Sequence, residues 1–324
     1  GSEMCIRDRY IVVHVLGGHM QRFLFIRVVQ SFFTLLVLSV VVFFGAEQTG
    51  DLALVLSTAD TTQEELEELR EKLGLNKPAY QRYLAWAGKA VMGDLGDSGT
   101  KRRPVWDMLL ERVPATLQLA GAGLLVAMAM GIPLGIIAAL YRNSYIDRLC
   151  KVFAIVGMSA PQFWVAIMLI MLFAAQWKLL PAFGKGGIDH YILPAFSISL
   201  FIMAGFMRLT RSSMLEVLDS EFVKFARIKG LSERVEIYKH ALKNAIIPVL
   251  TFGGVSFAGL LNVSIVVEVV FAWPGIGLLM LGGIRERDVN VILATVLTSG
   301  LLYIVLSTIV DLLYAYVDPR IRYG

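Results

Sequence analysis

The sequence predicts an all-α integral membrane protein. It has about six transmembrane helices, a helical external segment after the first span, and a long cytoplasmic loop between spans 4 and 5. Three observations predict this. Of the 324 residues, 56% are hydrophobic and only 17% charged, with a mean hydropathy of +0.67; a soluble domain carries about a quarter charged residues. The apolar residues gather in runs near the roughly 20 that cross a bilayer as a helix. The runs are continuous rather than alternating, which excludes a closed barrel and leaves helices, the structure that satisfies its own backbone in lipid.

The elements follow in order. Residues 1–19 place Arg7, Asp8 and Arg9 before a short apolar stretch, too short for a signal-peptide core plus cleavage site. Met20-Gln21-Arg22 then precedes a long apolar run, as at the start of a bacterial membrane protein. Residues 1–19 are therefore expected to be a non-native or disordered extension, and residues 20–46 to hold the first transmembrane helix. The six apolar runs are 28–46, 117–140, 152–175, 191–207, 245–272 and 291–317.

Residues 47–113 form the external helical segment. Thr61-Thr62-Gln63-Glu64-Glu65 starts a helix with a Thr cap and an acidic first turn. Leu66, Leu69 and Leu73 give it an apolar stripe, and Gly74 ends it. Pro78 and residues 80–90 predict a second helix. Two roles stay open for this segment, a solvated cap on the first span or a part that receives substrate. Residues 114–324 form the core, with five spans and the loop 212–244.

Orientation follows from Lys and Arg near the span ends. Loop 141–151 carries Arg142, Arg148 and Lys151, and residues 208–244 carry eight Lys or Arg. Arg22 and Arg27 lie near the start, and Arg320 and Arg322 near the end. The opposite loops hold only Lys178, Lys185, Arg285 and Arg287. Both termini are therefore expected in the cytoplasm of a bacterial inner-membrane, multi-pass protein. The net charge of +4 has its source in these loops, so the basic balance points to membrane lipid and not to nucleic acid. Cys5 and Cys150 are expected to be free thiols, and His14, His19, His190 and His240 form no metal-ligand pattern.

Residues 212–244 are too long and regular for a plain connection. Glu221 to Lys229 reads as a short helix with Phe222, Phe225 and Ala226 on one side and Lys224, Arg227 and Lys229 elsewhere. Gly230 permits a sharp turn, Ser232 can cap a new helix, and Pro248 falls in the first turns of the fifth span. Such a helix suits docking of a soluble partner; equally, it can be an amphipathic helix lying on lipid headgroups.

The run from Glu221 to Ser232 resembles the conserved cytoplasmic loop of bacterial ABC importer permeases, the EAA loop. Ala226 and Gly230 match that pattern, while Lys224 and Phe225 stand where it has Glu and Ala. His240-Ala241-Leu242-Lys243 replaces its Ile-x-Leu-Pro, with the proline delayed to Pro248. These differences are similar to the dipeptide/oligopeptide/nickel branch. Leu73 to Pro78, Gly93 to Ser98, Arg112 to Leu117, Glu268 to Gly277 and Asp311 to Arg320 all resemble the first (B-type) permease of that branch, in order along nearly the whole chain from Met20. Gly50-Asp51-Leu52-Ala53 departs from its usual Gly-Asp-Pro.

The resemblance implies a transmembrane subunit that forms the path for peptides or a related solute. It implies docking of Glu221, Phe222, Phe225, Ala226, Lys229, Gly230 and Leu231 onto an ATPase. The implied partners are a second homologous permease (a heterodimer), two ATP-binding subunits and an extracytoplasmic substrate-binding protein. No GxxxxGK[ST] phosphate loop occurs in this chain, so it is expected to be no enzyme and to bind no cofactor, with ATP-Mg on the partner subunits.

Several residues within spans carry polar or kinking character. Pro133 and Pro161 each remove a backbone donor and kink a helix. Ser159 and Gln162 flank Pro161; they either line the translocation path or bond between helices. Gly131, Gly135, Gly253, Gly254 and Gly259 fit close helix packing. Glu268 lies near the external end of its span, where a gating or structural ion pair with Arg285 or Arg287 is favoured over substrate contact. Trp273 and Pro274, with Gly275, turn the chain into a short re-entrant helix, 276–284, and belong with the gate. Asp311 and Asp318 are expected to be structural, Asp311 anchoring helix packing.

Two other classes compete. An ion-coupled transporter or channel acting without an ATPase would show mid-membrane charges and internal repeats, and neither is evident. An intramembrane hydrolase would need a base near Gly157-Met158-Ser159-Ala160, and the spans hold no His except His190 at a margin. HExxH is absent, and Gly254-Val255-Ser256-Phe257-Ala258-Gly259 misses a nucleophile elbow by one residue.

Overall fold

The computed structural model describes residues 2–48, 53, 57, 61–72, 74–230, 232 and 235–317, with backbone only for residues 2–21, 23, 24, 222, 226, 227 and 313–317. Regular structure among these is helical, apart from one bridge between Asp97 and Pro104. The helices are α1 (Ser2–Gln48), α2 (Gln63–Lys72), α3 (Ala79–Val91), α4 (Val105–Leu140), α5 (Tyr145–Ser159) and α6 (Gln162–Leu169). They continue with α7 (Asp189–Leu218), α8 (Glu221–Ile228), α9 (Leu242–Val270), α10 (Ile276–Arg285) and α11 (Val289–Val317). Short π-helical stretches, Ile170–Gln176 and Glu236–Ala241, extend α6 and precede α9.

Five helices among the described residues are long and apolar enough to cross a membrane, six if α5 and α6 form one broken span. Several outrun their apolar stretches. α4 has 36 residues, or about 54 Å at ~1.5 Å per residue, against a hydrocarbon thickness of about 30 Å. α7 likewise continues past Met207 to Leu218. Outside hydrocarbon a charged side chain no longer opposes the helix, so hydropathy underestimates helix length.

The third apolar run differs most from expectation. Pro161 does not kink a continuous helix. α5 ends at Ser159, Ala160 and Pro161 are both extended, and α6 leaves at 105° to α5. A proline disfavours helical backbone in the residue before it, and two consecutive extended residues convert a kink into an elbow.

The segment between α1 and α4 has the two expected helices. Thr62 and Glu65 form a reciprocal capping box: the Glu65 N–H donates to Thr62 Oγ1 (3.3 Å), and the Thr62 N–H to Glu65 Oε2 (2.9 Å). Gly74 closes α2 at φ +69°, with the Leu75 N–H donating to the Arg70 carbonyl at 2.9 Å. Tyr83 of α3 meets Ser39 of α1 through their hydroxyls (2.9 Å), and Arg82 pairs with Glu47.

The main core lies where α4, α7 and α9 meet, around Leu119, Ile198, Met203, Phe206, Val249 and Leu260. Missing side chains allow the close approach. A Cβ on Gly131 would sit 2.7 Å from the Met203 carbonyl oxygen, and one on Gly135 would sit 2.6 Å from that of Met207. Gly253 and Gly254 face Phe206 and Val310 in the same way. Gly259 does not: among the described residues nothing lies within 4 Å of a Cβ there.

Candidate functional site

Polar structure concentrates at the two ends of α4. At its C-terminal end, Ile136 and Ala139 pack with Met214 of α7 and with Ile237, Ala241 and Ala245 ahead of and within α9. From this base the chain leaves α7 through Asp219 and Ser220 and enters α8. Val223 is wholly buried and roots α8, whereas Phe225 and Ile228 are 61% and 78% exposed. Phe225 and Ile228, three positions apart, share one face of α8 and turn two large apolar side chains outward. Lys224 donates to Glu221 at 2.9 Å, and that bond with its charge attraction holds the ammonium above the usual lysine range. Gly230 follows at φ +76°, a left-handed conformation that other residues rarely adopt.

Of the residues expected to dock, Glu221, Phe225, Lys229 and Gly230 are exposed. The side chains of Phe222 and Ala226 lie outside the described residues, as does Leu231. Asp318 lies outside them too.

A cluster that the sequence did not signal joins α5 and α7. Arg211 of α7 grips Asp147 of α5 with both arms of its guanidinium, Nε to Oδ1 at 2.6 Å and Nη2 to Oδ2 at 2.9 Å. Asp147 is fully buried and also accepts from the Asn143 N–H and from Lys151, each at 3.0 Å. Arg142 and Asp219 make a second, exposed link at 3.5 Å. The two acidic partners are separated from their arginines by 64 and 77 positions, so no local pattern announces the pairs.

At the N-terminal end of α4, the turn 271–275 and α10 fold back onto α4 and α9. The Trp273 indole N–H donates to the Ala115 carbonyl, and the Ile276 N–H to Thr116 Oγ1, both at 2.9 Å. Glu268 Oε2 accepts from the Gly277 N–H at 2.7 Å, in the first turn of α10. The Thr116 and Ser264 hydroxyls lie beside the same carboxylate, while its Oε1 has no partner. The expected ion pair with Arg285 or Arg287 is absent: no ion pair of Glu268 occurs among the described residues. A helix N-terminus supplies the partial positive charge instead. A side chain at Gly275 would overlap the carboxyl group.

The remaining sequence-predicted positions divide between these places. Glu268 and Trp273 are wholly buried, with Pro274 partly so. Ser159 and Pro161 are exposed and Gln162 half-buried at the α5–α6 elbow. Asp311 of α11 pairs with Arg27 of α1.

A third polar contact ties the 94–104 stretch to the α10–α11 turn. Ser98 donates to Asp288 at 2.6 Å, Thr100 to Glu286 at 2.7 Å, and Asn290 to the Asp97 carbonyl at 2.8 Å. Beside it opens a cavity of about 1080 Å³ that reaches Glu47, Lys77, Arg82 and Lys89. No group of residues suited to hold a metal ion occurs among the described residues.

Known proteins resemble this chain in sequence and in fold. Residues 131–323 match the family described as "Binding-protein-dependent transport system inner membrane component", and residues 20–120 match the N-terminal family of such membrane components. The glutathione transport system permease protein GsiC of Escherichia coli O6:H1 is 40% identical over 291 residues, covering 90% of this chain and 95% of that one. GsiC of E. coli K12 and of Shigella dysenteriae serotype 1 are each 39% identical over the same coverage. Two solved structures share the fold. An amino acid ABC transporter crystallised with histidines has TM-score 0.51 at 15% identity, over 65% of this chain and 94% of that one. The inward-facing methionine transporter MetNI has TM-score 0.50 at 16% identity, over 63% and 95%. The chain therefore belongs to the binding-protein-dependent inner membrane permeases: it is the multi-pass translocation subunit of an ABC importer of the peptide/nickel class, a family that works with ATPase subunits and a substrate-binding protein.

Proposed function

We propose that this permease, paired as a heterodimer with a second homologous permease, carries a short peptide of glutathione's kind inward. Residues Glu221 to Gly230 are the handle by which an ATPase subunit drives it. The observation that carries the handle is α8 itself, rooted by Val223 and turning Phe225 and Ile228 outward at the end of a long crossing helix. The substrate class rests on the 40% identity to permeases named for glutathione transport. ATP-Mg binds two partner subunits. α8 and both termini lie in the cytoplasm, in keeping with the eight Lys or Arg of residues 208–244.

In this reading ATP binding closes the ATPase pair, α8 is displaced, and the helices pass from inward-open to outward-open. ATP shifts the balance only by binding the closed state more tightly. Glu268, Trp273 and Pro274 belong to the outer gate, where the bonds of Trp273 to α4 and of Glu268 to α10 hold the 271–275 turn in place. Ser159, Pro161 and Gln162 face the path from the α5–α6 elbow. The chain divides into an extension (1–19), whose residues 2–19 are helical and continuous with α1 rather than disordered, a first span (20–46), an external segment (47–113) and a core (114–324). The cavity beside Lys77 and Lys89 supports a receiving role for the external segment.

The test is reconstitution in proteoliposomes with the partner permease, ATPase subunits and binding protein. Uptake of labelled glutathione is expected to need ATP and to be competed by short peptides. Equal uptake without the ATPase subunits overturns the reading, as does labelling of Lys224 or Lys229 by an impermeant reagent on the outer face of intact cells.

A further inference from the structure

We infer that Asp147 and Arg211 form a positioning pair that transmits displacement of α8 to the α5–α6 elbow, so that α5 and α7 move as one lever. The inference rests on the docking role proposed for α8. Three observations carry it. The Asp219–Ser220 turn joins α7 to α8 tightly, with the Ser220 N–H bonded to the Val217 carbonyl at 3.0 Å and the Lys224 N–H to the Ser220 carbonyl at 3.1 Å. A push on α8 therefore reaches the last turns of α7 rather than being absorbed in slack chain.

α7 is fastened to α5 at two levels along its length. The bidentate Arg211–Asp147 pair is planar and directional, and its carboxylate is wholly buried with four donors around it. Farther along, Gly157 of α5 lies against α7, where a Cβ would sit 3.3 Å from that of Ala204 and 3.4 Å from the Leu200 carbonyl oxygen. Two fastenings along one helix transmit rotation as well as translation; a single one would act as a pivot.

The far end of this lever is the break at Ala160 and Pro161, where α6 departs at 105°. Ser144 Oγ caps α5 through the Asp147 N–H at 3.3 Å, so the helix start that receives the force is itself fixed. Motion that begins at α8 thus arrives at Ser159 and Gln162, far from the ATPase surface, without passing through the Glu268 cluster.

The experiment compares Asp147→Asn, Arg211→Lys and Gly230→Val in the fully assembled transporter, measuring substrate-stimulated ATPase rate and glutathione taken up per ATP. Asp147→Asn is expected to keep the ATPase rate while uptake per ATP falls about tenfold, a coupling energy of ordinary allosteric size. Arg211→Lys keeps the charge but loses the fork and is expected to fall between. Gly230→Val acts on docking and lowers the ATPase rate itself, which separates failure of the lever from failure of the handle. Unchanged uptake per ATP in Asp147→Asn overturns the inference.

A second measurement needs neither variant of the pair. Spin labels at Tyr145 and Ser212, with Cys5 and Cys150 replaced by Ser, report the α5–α7 distance. The distance is expected to be the same in the nucleotide-free and ATP-trapped transporter; a change between those states overturns the lever.

Discussion

Glu268 gives one carboxylate oxygen to the Gly277 N–H at 2.7 Å and leaves the other without a partner, both atoms sealed from solvent. A buried carboxylate facing N–H and hydroxyl groups rather than a cation works as an acceptor and shape-filler. Its task is to hold the first turn of α10 against α9 and α4.

Glu268→Gln keeps that acceptor and the volume, so stability is expected to change by less than about 1 kcal/mol. Glu268→Ala leaves the Gly277 N–H unpaired and opens a void, at a cost of about 2–4 kcal/mol. Thermal unfolding of the purified permease in detergent separates the two. Equal damage from Gln and Ala would mean that the negative charge itself is required.

Gly230→Val is expected to strain the backbone by about 1–3 kcal/mol, because φ is +76° and a β-branched residue avoids that region. Among the described residues no atom beyond the chain neighbours lies within 4 Å of the added Cβ, so the expected effect is conformational and local. Insertion into the membrane is expected to be normal while substrate-stimulated ATPase activity falls. Gly230→Asn, which tolerates left-handed backbone better, is expected to retain more activity than Val.

Gly135→Val is expected to destabilise by about 1–3 kcal/mol or more through overpacking. Its Cβ alone would sit 2.6 Å from both the Met207 carbonyl oxygen and the Thr210 Cβ. Gly259→Ala serves as the control, since a Cβ there meets nothing within 4 Å. Expression yield and unfolding temperature of the two variants check the contrast.

Arg27 and Asp311 join the first and last membrane helices, with side chains 39% and 30% exposed. The two side chains are in direct contact, so a double-mutant cycle with Arg27→Ala and Asp311→Asn is expected to give a favourable coupling of about 0.5–3 kcal/mol. Limited proteolysis of α1 offers a second readout: either single variant is expected to loosen it, and exchanging the two charges is expected to restore protection in part.

Hydropathy made the crossing helices legible because the signal is local: twenty consecutive apolar residues have few alternatives in lipid. The Thr cap and acidic first turn of α2 and the turns at Gly74 and Gly230 were legible for the same reason, each being written within a few adjacent positions. Helix ends at Val105 and Leu218 were not, because polar residues beyond the bilayer surface extend a helix without any change in its hydrogen bonding.

What the residues alone determined, then, is the class of the chain, its family and the position of α8. Tertiary structure decided which charges meet. Arg211 finds Asp147 across 64 positions, Arg27 finds Asp311 across 284, and Glu268 takes a backbone N–H where a cationic side chain was expected. Periodicity places a side chain on a helix, but only the rotation and crossing of packed helices bring two such positions within 3 Å. The Gly277 main-chain N–H that Glu268 meets leaves no mark on the type of the residue that donates it.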